Sequence, residues 1–152
     1  MSTHGWWLAA FASAALGFAL PVHAGPPVTV TFQHLGMPNS PDATLLAVSK
    51  NEFDTYANAV TEPAESVSAG GADQYEVESP ISPDVNYVVV RYRMGRKTCV
   101  FASTYVNASS YGGLSRPRWT KSAKASGGAI CQAAITSTDM ATHAWSVKFT
   151  MK

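Results

Sequence analysis

Residues 85–106 read VNYVVVRYRMGRKTCVFASTYV, and the fold class follows from them. Two runs rich in β-branched and aromatic residues flank Met94-Gly95-Arg96-Lys97. A glycine as first loop residue suits a two-residue type II′ turn, so the stretch predicts one long β-hairpin. With Gly95 and Arg96 in the loop, Met94 faces Lys97, Tyr92 faces Cys99 and Val90 faces Phe101. Val88, Val90, Tyr92, Cys99 and Phe101 then share one face. Arg91 and Arg93 fall on the other, opposite Val100 and Thr98. The hairpin has an apolar face for a core and a face that carries arginines.

Strand-like patterning continues on both sides. Upstream, Val28 to Phe32 alternates as a half-buried first strand, and Ala43 to Val48 reads as a second after a Gly/Pro/Asn loop at 35–42. Ser49-Lys-Asn-Glu52 fits a capping box, with Phe53, Tyr56, Ala57 and Val60 at helical spacing. A short helix and an irregular crossing between sheets both fit residues 49–60. Ser66 to Ala69 is a short strand, and Gln74 to Glu78 turns Tyr75 and Val77 inward. Downstream, Asn107 to Arg118 reads as a long polar loop and Trp119 to Ala123 as a strand. Ala129 to Thr136 is a strand with Cys131, Ala133 and Ile135 on one face. His143 to Met151 closes the chain with Trp145, Val147, Phe149 and Met151 inward and Lys148 outward. Seven to nine short strands, turn signals about every ten residues and at most one short helix predict an antiparallel β-sandwich, with a small β-barrel as the alternative.

The first residues read as a secretory leader. Trp6 to Leu20 is an uncharged apolar run, shorter than the roughly 20 residues a spanning helix needs, and Pro21 follows it. Val22-His23-Ala24 supplies small residues at the −3 and −1 positions of a cleavage site. Residues 1–24 are therefore the expected signal peptide and 25–152 the expected domain, in a periplasmic or secreted protein. The segment Met1 to Gly5 departs from the usual pattern in having no Lys or Arg. Two cysteines in an exported chain predict one disulfide, Cys99–Cys131, which stabilises by roughly 3–4 kcal/mol in the loop-entropy model. Neither belongs to a C-x-x-C motif, so redox catalysis has no support.

Charge is divided along the chain. Between Gly25 and Val90 there are nine acids and one base, Lys50; from Arg91 onward there are ten bases and one acid, Asp139. Either the fold keeps this as a bipolar surface or it interleaves the two halves.

No stretch carries a specific catalytic, phosphate-binding or dinucleotide motif, and no cofactor is expected. Two His/Met pairs, His34 with Met37 and Met140 with His143, have ligand types suited to copper, but neither has a carboxylate or cysteine placed to complete a site. The densest surface signal follows the hairpin: Tyr105, Tyr111, Arg116, Arg118, Trp119, Lys121 and Lys124 mix rings and cations within twenty residues. The alternative is that Trp119 and Tyr105 belong to the core. Together with Arg91 and Arg93 these residues predict a non-catalytic binding protein that recognises an acidic surface on another protein, of the immunity or inhibitor type. A secreted lipid- or glycan-binding module is the rival reading, a small envelope enzyme or copper-binding protein ranks below it, and nucleic acid is not expected as a partner.

Overall fold

The computed structural model describes residues 24–109 and 115–152. Residues 1–23 of the expected leader and the segment 110–114, with Tyr111, lie outside the described residues. In chain order the elements are β1 (Val28–His34), β2 (Ala43–Leu46), α1 (Lys50–Ala57), β3 (Ser66–Val67), β4 (Ala72–Val77), β5 (Val85–Met94), β6 (Lys97–Ser109), β7 (Ser115–Ser126), β8 (Cys131–Thr138) and β9 (Trp145–Met151).

The β5–β6 hairpin forms in the expected register, with Met94 opposite Lys97, Tyr92 opposite Cys99 and Val90 opposite Phe101. Gly95 has φ 58° and Arg96 has no positive φ, as a type II′ turn requires. The hairpin sits in a five-stranded sheet ordered β3-β2-β5-β6-β7, which faces a four-stranded sheet ordered β4-β1-β9-β8. Both orders are open, so the fold is a β-sandwich and not a closed barrel. One neighbouring pair departs from the antiparallel expectation. The first and last strands, β1 and β9, run parallel, from Val28 opposite Trp145 to His34 opposite Met151.

Period-two alternation places the core. Val28, Val30 and Phe32 of β1 and Trp145, Val147, Phe149 and Met151 of β9 are buried, as are Val88, Val90, Tyr92, Cys99 and Phe101 of the hairpin. The layers join through ring pairs: Phe32 stacks on Tyr92 with centroids 3.6 Å apart, and Phe101 on Phe149 at 4.7 Å. The Cys99–Cys131 disulfide adds a covalent tie from β6 to β8, across the two sheets. Buried Asn86 is satisfied by donating to the carbonyls of Pro26 and Val77 at 2.8 and 3.0 Å.

The expected loop at 107–118 is largely strand. β6 runs to Ser109 and β7 starts at Ser115, paired from Thr98–Ser126 through to Ser109–Ser115. Its Ser, Asn and Gly content suggested a loop, but small polar side chains are also tolerated on the solvent face of a two-stranded arm. Lys148 is half-buried, not exposed: Thr31 and Ala134 flank it in register on the outer face of the four-stranded sheet.

Trp145 is almost wholly buried, and its indole N–H donates to the Ser103 hydroxyl at 2.9 Å. Replacement of Trp145 by Ala should destabilise the fold by about 3–5 kcal/mol, and Lys148→Ala by less than about 0.5 kcal/mol, measured by urea unfolding. Equal losses would mean that the facing of β9 is wrong.

Candidate functional site

The flank that carries α1 combines the features of a site. β2 pairs with β5 only from Thr44–Arg93 to Leu46–Arg91, and beyond it the outer edge of β5 has no strand partner. The helix takes that place. The Val89 N–H donates to the Thr55 hydroxyl at 2.9 Å, supplying the bond a strand would have given. After the helix, residues 58–60 run along the edge of β4: Val60 N–H donates to the Glu76 carbonyl and Glu78 N–H to that of Asn58. The segment thus bridges the two sheets at their shared flank.

Glu52 fixes the helix in position. The capping box expected from Ser49 and Glu52 is present. One carboxylate oxygen accepts from the Val48 and Ser49 amides at 2.7 and 2.8 Å. The other accepts from the Arg91 guanidinium, with Nε at 3.0 Å and Nη2 at 2.9 Å. Burial alone would raise the Glu52 carboxyl, but the two amides and Arg91 outweigh it and hold it below the ordinary value. At the rim, Asp54 bonds Lys50 and accepts from the Tyr87 hydroxyl.

This docking turns the helix over relative to its hydrophobic pattern. The buried helical residues are Glu52 and Thr55. Phe53 is 57% exposed and Tyr56 41%. An amphipathic helix normally buries its apolar side; here the polar side meets the sheet edge and the rings point outward. Between helix and β2 lies a crevice of about 320 Å³, floored by Leu45, Val90 and Tyr75 and walled by Phe53, Tyr56 and Pro63. The Tyr75 and Tyr92 hydroxyls, 3.5 Å apart, share at most one long hydrogen bond, so one phenolic proton has no acceptor among the described residues. Periodicity at 49–60 fitted a helix as well as an irregular crossing; the helix forms, and nothing in the pattern signalled which side would dock.

The sequence-predicted partner residues do not form one loop. Arg116, Arg118 and Lys124 alternate outward on β7, the outermost strand of its sheet. Lys121 reaches across to donate to the Ala133 carbonyl of β8 at 2.7 Å. Trp119 is half-buried among Tyr105 and His143, and its N–H donates to the His143 carbonyl. Tyr105 is wholly buried and bonds the His143 imidazole at 2.6 Å. These rings pack; they do not project. Arg91 is held by Glu52, whereas Arg93 is exposed.

The His/Met pairs lie at opposite ends of the sandwich. His34 is in register with Met151, whereas His143 precedes Trp145, which is in register with Val28. Seven strand residues separate them by about 20 Å, so they cannot share an ion. Both His34 ring nitrogens are engaged, one with the Pro41 carbonyl and one by the Gly36 amide. Among the described residues no three His, Cys, Asp or Glu side chains cluster as a metal site.

The charge split survives folding in part, since Arg91 pairs with Glu52 and Arg93 stands in register with Thr44 on the acidic side. Glu62, Glu65, Asp73, Glu76 and Glu78 lie with α1 on the β4 flank, while the β7 cations line the opposite flank, where β7 packs against β8. No protein-family model matches the chain, and no curated protein or solved structure is significantly similar to it.

Glu52→Gln keeps the size of the side chain and removes its charge. At neutral pH it should destabilise by about 2–4 kcal/mol, a little below the roughly 3–5 for breaking a fully buried pair because Arg91 is partly exposed. Because the folded carboxyl titrates below the ordinary glutamate value, its contribution is complete above that value and fades as pH falls through the folded one. Urea unfolding from neutral to about pH 3 should show the variant and wild type converging only at the acid end. A constant gap throughout would exclude this role.

Proposed function

We propose that this is an exported, non-catalytic binding protein of the immunity or inhibitor type that recognises an acidic surface on another protein through its β7 flank. The observation that carries the reading is the segregation of charge. Arg116, Arg118, Lys121 and Lys124 all lie on one edge strand, away from the acidic flank. None of the four has a carboxylate within ion-pairing distance among the described residues. A row of unneutralised cations on a rigid strand sets up a field that orients and accelerates the approach of an acidic partner.

Other features support parts of this reading. The apolar leader and the Cys99–Cys131 bridge fit an oxidising compartment. Cations along an unpartnered edge also discourage strand-on-strand pairing, which favours electrostatic docking over addition of a strand. Trp119 contributes by packing behind β7, so the recognising groups are the arginines and not the ring.

The test is association kinetics with a partner recovered from the envelope or secretome of the source cell. Arg116→Glu with Arg118→Glu should slow association by about tenfold or more and flatten its dependence on salt, with an unchanged thermal midpoint. Association at the wild-type rate across salt concentrations would remove β7 as the recognition surface. Tight binding to anionic vesicles with no protein partner would move the reading to a membrane surface.

A further inference from the structure

We propose that the crevice under α1 is a binding site for a small cationic amphiphile: one apolar chain or ring carrying an ammonium group. It lies on the flank opposite β7 and does not depend on the reading above.

Apolar surface is gathered at this place. Leu35, Met37, Ile81, Ile130 and Met140 are exposed singly on turns and strand ends, as is ordinary for a protein surface. Around α1, by contrast, the exposed rings of Phe53 and Tyr56 stand over a recess that reaches core residues Tyr75 and Val90. The helix could have buried those rings, and the polar anchoring by Glu52 and Thr55 prevents it. At about 320 Å³ the recess has the size of the smaller ligand pockets, enough for one small molecule.

The charge around the mouth selects the head group. Glu65 lines the crevice and has no cationic partner among the described residues. Glu62 stands beside it, accepting from the Tyr56 hydroxyl at 2.5 Å. Glu52 is fully occupied by the Val48 and Ser49 amides and Arg91. Of the nearby bases, Lys50 is paired with Asp54 and Arg91 with Glu52. Arg93, in register with Thr44 on the β2 side, has no carboxylate partner among the described residues and stands away from the Glu62 and Glu65 side of the mouth. An anion entering here would meet uncompensated carboxylates. An ammonium would meet a free carboxylate together with two aromatic rings, and ring faces attract cations. Apolar walls below and an acid with rings above define the ligand class.

Isothermal titration with n-hexylammonium chloride, hexanol and sodium hexanoate tests the proposal on the purified protein. Hexylammonium should bind at one saturable site, with affinity rising about fourfold per methylene from butyl to hexyl and hexanoate at least tenfold weaker. Ala47→Phe, which places a ring in the recess, should weaken hexylammonium at least tenfold. Glu65→Gln, a change at an exposed side chain, should weaken hexylammonium several-fold and leave hexanol unaltered, so the test stands even if Ala47→Phe folds poorly. Absence of saturable binding, equal affinity for hexanoate, or indifference of hexylammonium to Glu65→Gln would each overturn the assignment.

Discussion

β2 stops pairing after Leu46 while β5 continues, and the backbone groups left along that edge require partners. The constraint is local, but the whole flank follows from it. Thr55 meets the Val89 amide, Glu52 ties the helix start to Arg91 on the same strand, and residues 58–60 extend the contact to the other sheet. A segment that closes two sheet edges must present hydrogen-bonding groups to them. Its apolar residues are then left outward, and a recess remains beneath them. Structure and candidate chemistry on this side have one cause.

How much of this was legible in the sequence depends on the range of each signal. The hairpin register was fully readable, because Gly95 sets the turn and the turn sets every pair behind it. The last strand was readable because strict alternation from Trp145 to Met151 leaves one way to face the core. The disulfide followed from the chain having only two cysteines and from the expectation of an oxidising compartment. The orientation of α1 was not readable. Helical periodicity identifies two sides, and the usual inference buries the apolar one; here a non-local demand from β5 reversed it. The β6–β7 arm was missed for a similar reason, since composition at 107–118 describes solvent exposure, which an extended edge arm shares with a loop. The parallel β1–β9 pair joins the ends of the chain, and no local pattern encodes it.

Site residues divide along the same line. Arg116 and Arg118, singled out from charge and residue type, lie outward on β7. Trp119 and Tyr105 carried the same residue-type signal, yet they pack around His143, whose φ of 64° is held between them. Ring and cation content marks a recognition surface only when the rings are free, and strand alternation on β7 decides that. The two flanks then have different chemistry: fixed cations on a rigid edge at β7, and rings with carboxylates around a recess at α1.

A polar contact, not apolar burial, holds α1 against β5. Native-state hydrogen exchange of the Val89 amide in wild type and in Thr55→Val tests it most directly. The substitution keeps the shape and removes the acceptor. Val89 should exchange slowly in the wild type and faster by about tenfold or more in the variant, while amides of the β5–β6 ladder keep their protection. Unchanged protection of Val89 in Thr55→Val would mean that the Thr55 hydroxyl does not hold the helix to β5.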